Sequence, residues 1–119
     1  MKTLKVTTAN EVTIINVEEP LHISLREHVG GYIEIVNPRG LRHPFCMIVD
    51  EEGRLKYKPR NTVGCVLYET HKHGAPIVGD IVIMRTEQTD DGIDLVGLTD
   101  DDIVELALGI GKMLAIVLG

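Results

Sequence analysis

The sequence predicts an α+β fold. It is read as a single small domain over residues 1–119, a mostly antiparallel sheet of about five to seven strands with one short helix in the N-terminal half and a capped C-terminal helix. Three observations carry that expectation. Short runs rich in Val, Ile and Thr recur along the chain between Gly, Pro, Asn and Asp turns. Two stretches combine helical spacing with an end signal, one opened by Pro20 and one by Thr99. A chain of 119 residues suits one domain, and it can hide roughly two thirds of its unfolded surface without disulfide or metal staples.

Residues 4–8 and 12–17 read as an opening hairpin, with Ala9-Asn10 as the turn. Glu18-Glu19-Pro20 starts a short helix, since Pro lacks an N–H that would have no partner there. Leu21, Leu25 and Val29 form its apolar stripe, and Gly30-Gly31 ends it. Residues 32–36 are a strand, followed by the turn Asn37-Pro38-Arg39-Gly40. Residues 45–49 are nearly unbroken apolar, which fits a strand buried on both faces. Asp50-Glu51-Glu52-Gly53 then turns the chain, and 54–58 is expected to return as the hairpin partner, with Arg54, Lys56 and Lys58 on one side.

Residues 62–68 fit a short helix or another strand, and 70–76 reads as a polar loop. Residues 77–84 read as a strand with Gly79-Asp80 as a bulge, 86–92 as a flexible acidic loop, and 93–98 as a short strand. Thr99-Asp100-Asp101-Asp102 is a helix start, because Thr99 can cap free amides and the carboxylates complement the dipole. Ile103, Leu106, Ala107 and Ile110 follow with helical period, and Gly109 and Gly111 are candidate kinks or ends.

Composition narrows the function classes. Aromatics are 3% with no Trp, so the core is aliphatic and base stacking on single strands is disfavoured. A net charge of −6 disfavours direct nucleic-acid binding, since an acidic surface repels phosphate. Cys46 and Cys65 in apolar settings read as reduced core thiols rather than a disulfide framework. No hydrophobic run with a cleavage site opens the chain, and the apolar run 113–118 is far short of the ~20 residues of a membrane span. The expectation is a cytoplasmic protein with no membrane contact.

The segment His28-Val29-Gly30-Gly31-Tyr32-Ile33-Glu34-Ile35-Val36 resembles the opening motif of a phage and bacterial family, domain of unknown function 3846. Asp50-Glu51-Glu52-Gly53-Arg54-Leu55-Lys56 with Pro59 and Asn61, then residues 77–83, then Leu98-Thr99-Asp100-Asp101-Asp102-Ile103, are similar to its later motifs in the same order. The resemblance runs from about Leu4 to about Ile110. His71-Lys72-His73 and the apolar tail after Lys112 depart from the pattern. The resemblance implies a small accessory protein of a phage or mobile element, working in the bacterial cytoplasm. It implies no activity, substrate or cofactor.

Few residues suggest catalysis. His71-x-His73 could share an ion if both lay on a strand, but Gly74 and Pro76 favour a loop and no third ligand is at hand, so no metal or cofactor is expected. The acidic triplets at 50–52 and 100–102 are explained as a turn and a helix start. No phosphate-binding glycine loop is present.

Charge asymmetry is more informative. Six of twelve Lys and Arg fall between Arg39 and Arg60, eight of eighteen acids between Glu87 and Glu105, and no Lys or Arg between Thr86 and Gly111. If 45–49 and 54–58 pair, then Arg39, Arg42, Arg54, Lys56, Lys58 and Arg60 line one rim. Asn61 would add hydrogen bonds, and Tyr32 or Tyr57 a ring face. The first expectation is a non-enzymatic module that binds an anionic, nucleotide-like small molecule at that rim; the alternative origin of the charges is a solvated edge strand. The second function reading is an acidic inhibitor or adaptor whose surface over 87–105 mimics DNA charge and engages a host protein. The tail 113–118 is apolar on every side, which favours a homodimer.

Overall fold

A strand that is apolar over five successive positions needs cover on both faces and a neighbour on both edges, and β4 (Phe45–Asp50), apolar from Phe45 to Val49, receives all four. The computed structural model describes residues 1–119, apart from the side chain of His73. Its six-stranded antiparallel sheet runs β2 (Val12–Asn16), β1 (Lys2–Val6), β5 (Ile81–Thr89), β4, β3 (Ile33–Val36), with β6 (Gly92–Val96) also paired to β5. β1 and β6 share one edge of β5: Leu4 lies opposite Ile83, and Arg85 opposite Val96.

Strand alternation divides the core in two. Cys46, Ile48, Val82 and Met84 face α1 (Leu21–Val29), which contributes Leu25 and Val29. Phe45, Met47, Ile81 and Ile83 face α2 (Thr62–Tyr68) and α4 (Asp100–Leu118), which contribute Val63, Leu67, Ile103, Leu106 and Ile110. The result is helix, sheet and helices in three layers. No helix among the described residues is long and apolar enough to cross a membrane.

The expected opening hairpin, N-terminal-half helix, buried central strand and capped C-terminal helix are all present. At α4, Asp102 N–H donates to Thr99 Oγ1 (3.1 Å) and Thr99 N–H donates to Asp102 Oδ2 (2.9 Å), a reciprocal capping box. Arg85 reaches the same carboxylate from β5 at 2.9 Å, joining the sheet to the first turn of the helix.

Five expectations are corrected and one alternative is decided. Residues 54–58 form no strand, because both edges of β4 are already taken by β3 and β5; residues 51–57 are successive turns, with Tyr57 in the left-handed region at φ 56°. Residues 62–68 are helical, capped by Asn61 Oδ1, which accepts from Gly64 N–H at 2.9 Å. The expected polar loop begins as a one-turn helix, α3 (Thr70–His73). The expected bulged strand over 77–84 begins only at Ile81, because Gly79 turns at φ 78°. The acidic loop over 86–92 is instead a hairpin arm, Thr89 pairing with Gly92 across the turn Asp90-Asp91. In α4, Gly109 and Gly111 neither kink nor end the helix; it continues to Leu118 despite the ~1 kcal/mol that each interior Gly costs.

Replacing Thr99 with Ala removes one half of the capping box. The expected loss is about 1 kcal/mol of unfolding free energy with an unchanged urea m-value, checked by equilibrium urea denaturation.

Candidate functional site

The basic segment is organised by one acid. Alternation along β4 turns Asp50 toward the α1 face, where its side chain is wholly buried. Lys58 Nζ reaches Asp50 Oδ2 at 2.6 Å and Lys56 Nζ at 3.0 Å, while Glu52 N–H donates to Oδ1 at 2.9 Å. The same ammonium groups donate to the last carbonyls of α1: Lys58 to Val29 O (2.7 Å) and Lys56 to Gly30 O (3.1 Å). A helix C-terminus carries partial negative charge and open acceptors, so cations fit there. Gly30-Gly31 makes this junction possible. Gly30 closes the helix at φ 84°, and a Cβ on Gly31 would collide with Lys56 Nζ and the Asp50 carboxylate.

Burial pushes the Asp50 carboxyl upward, but the hydrogen bonds from Lys58, Lys56 and the Glu52 amide outweigh it, and its pKa lies below the ordinary value. Asp102 behaves alike: burial raises it, while Arg85 and Thr99 bring it below the ordinary value. His28 is lowered by burial and by Lys5. Burial pushes the Cys46 thiol up to about 11, so it is an inert core group. Cys65 is half-buried and its thiol donates to Ile77 O at 3.4 Å.

The expected rim residues separate into three groups. Lys56 and Lys58 are held by Asp50, and Arg42 forms a fork with both oxygens of Glu105 (2.9 and 2.7 Å) on α4. Asn61 is wholly buried; besides capping α2 it donates to Val6 O (2.9 Å) and Gly79 O (3.0 Å), which commits both of its N–H donors to the fold. Tyr32 is covered by the Arg26 guanidinium at 4.5 Å, and Tyr57 is 93% exposed on its turn. Arg39, Arg54 and Arg60 are exposed and form no ion pair among the described residues.

Of these, Arg54 lines a cleft of about 360 Å³ between β3, the 51–57 turns and residues 75–78. Glu34, Asn37, Glu51, Tyr68 and Pro76 share that lining. The volume falls within the range of small-molecule sites. The cleft carries both signs: one guanidinium beside two exposed carboxylates, Glu34 and Glu51, and the amide of Asn37. Sequence reasoning missed Glu34, Asn37, Tyr68 and Pro76, because they are far apart in the chain. The alternation of Ile33-Glu34-Ile35 was the available sign that Glu34 leaves the core. His71 is exposed on α3, while the side chain of His73 lies outside the described residues. No group of three metal-ligating side chains occurs among the described residues.

A layered α+β domain with a small two-signed cleft beside an edge strand is the class that these features define. The family model described as Domain of unknown function (DUF3846) matches residues 1–108, and the chain belongs to that family. Neither the curated proteins nor the solved structures contain a match.

Because the Asp50 and Asp102 pKa values are depressed on folding, their contribution is full above the unfolded-state carboxyl range and is lost as pH falls through the folded values. Wild-type stability is expected to drop below about pH 4, and Asp50→Asn to be less stable at neutral pH with a flatter acid limb. The neutral-pH loss is about 2 kcal/mol, less than for a fully buried pair, since both ammonium groups reach solvent. Urea denaturation across pH 3 to 7 checks this.

Proposed function

We propose that this protein is a binding module, not a catalyst, which captures a small polar molecule bearing one anionic group in the Arg54 cleft. A nucleoside monophosphate has the right chemistry. The observation that carries the reading is the state of Arg54, a guanidinium with no ion pair among the described residues, in a cleft of ligand size. Its planar fork suits a phosphate, and Glu34, Glu51 and Asn37 offer acceptors for the exocyclic amino group of a base. The other strongly placed charges, Asp50 and Asp102, are engaged in holding the fold. The setting proposed is that of a phage or mobile-element accessory protein in a bacterial cytoplasm.

Isothermal titration calorimetry with AMP, GMP, CMP and UMP tests the proposal. At least one of the three amino-bearing nucleotides is expected to bind more tightly than UMP. Arg54→Glu is expected to weaken that binding at least tenfold, and Lys72→Ala to leave it unchanged. No heat with any nucleotide at millimolar concentration, or full binding by Arg54→Glu, would refute it.

A second reading has its own support. On the β5–β6 arm Glu87 stands directly opposite Asp94, with Asp90 and Asp91 at the tip. Opposed like charges destabilise a hairpin, and a basic partner would relieve that cost. The arm is therefore proposed as a contact for a basic surface on a host protein. Glu87→Lys is expected to raise stability by a few tenths of a kcal/mol while abolishing any such contact, read by thermal denaturation and by co-purification. Finally, the exposed apolar side chains of α4 support a homodimer through the C-terminal helix.

A further inference from the structure

α4 is apolar on two faces. Ile103, Leu106 and Ile110 are buried against the body of the domain. On the other side Val104 (57% exposed), Leu108 (62%) and Leu118 (62%) stand in solvent, with exposed Gly111 and Ala115 between them. These five positions are spaced by four, three, four and three residues, the interval of a coiled-coil seam. On a 3.6-residue helix they fall within an arc of about 80°. Asp101, Glu105 and Lys112 run along one flank of it. The family match stops at residue 108, so the second half of this stripe lies beyond the matched region.

Resting on the homodimer reading above, we propose that a second copy covers this face as an antiparallel helix pair, with the two-fold axis passing beside Gly111. A two-fold interface must be complementary to itself. Setting Gly111 against its own copy places Leu108 opposite Ala115 and Val104 opposite Leu118, a larger side chain meeting a smaller one at each level. A Cβ at Gly111 would meet nothing within 4 Å, so the axis is open and the backbones can approach closely. Charge selects the direction. A parallel pair would set the two acidic first turns, Asp100, Asp101 and Asp102, side by side; the antiparallel pair puts them at opposite ends and opposes the helix dipoles. Two helices in seam contact bury on the order of 800 Å², below the range of stable interfaces, so the proposed dimer is a weak, reversible one.

Sedimentation of the full chain, from low micromolar to several hundred micromolar, is expected to show a monomer–dimer equilibrium. Leu108→Glu is expected to weaken it at least tenfold with an unchanged circular dichroism spectrum. In a Cys65→Ser background, Gly111→Cys is expected to give a disulfide-linked dimer under mild oxidation, and Leu108→Cys alone is not. Leu108→Cys combined with Ala115→Cys is expected to cross-link again. A wild-type chain that stays monomeric throughout overturns both this arrangement and the homodimer reading. A dimer that cross-links through Leu108→Cys alone, or fails to do so through Gly111→Cys, overturns the antiparallel arrangement only.

Discussion

The buried carboxylate of Asp50 joins three parts of the chain. It sits at the end of the most buried strand, receives Lys56 and Lys58 from the following turns, and lies against the Gly30-Gly31 junction at the end of α1. A charge removed from water is tolerated only when it is paired and hydrogen-bonded, and here two ammonium groups and an amide do so. Both ammonium groups also complete hydrogen bonds to α1 carbonyls that would otherwise be open. Local geometry at the sheet's β3 end follows from this cluster. The turns over 51–57 are folded back on it, and one wall of the Arg54 cleft is made of those turns.

The same cluster explains how a basic segment leaves so few cations free. Lys56 and Lys58 neutralise Asp50, and Arg42 is drawn across to Glu105 on α4. Arg39, Arg54 and Arg60 form no ion pair among the described residues, and of these three Arg54 lies in a cleft whose other charged members are acids. A single anion would be attracted to Arg54 there, and a polyanion would meet repulsion from Glu34 and Glu51. The acidic end of the molecule is treated in the same way. Asp100 pairs with Lys2, Asp102 with Arg85 and Glu105 with Arg42, so within the acid-rich stretch from Glu87 to Glu105 the carboxylates without an ion pair among the described residues are Asp101 and the four on the β5–β6 arm.

Much of the architecture was legible because it rests on short-range rules. The apolar run at β4 demanded two covered faces, Thr99 with Asp102 announced a helix start, and Gly30-Gly31 announced a helix end. The failures share one cause. The alternation Arg54-Leu55-Lys56-Tyr57-Lys58 is good strand patterning, yet β4 had no edge left to offer it. The charges over 86–92 resembled a loop, yet the free half of β5 extends them into a hairpin. The rim was assembled on the first of these errors, and so its members are dispersed: Arg54 lines one cleft, while Arg42 and Lys58 line two others with their charges already paired.

The sequence by itself determined the class of fold, the two covered faces of β4, the ends of α1 and the start of α4, because each depends on side chains within a few residues of one another. Only the tertiary structure decided strand order, the fate of residues 54–58 and which cation meets which acid. Lys58 bonds a carbonyl 29 residues away and Arg42 a carboxylate 63 residues away. Contacts at such separations depend on how the layers pack, and no local pattern of residues encodes that.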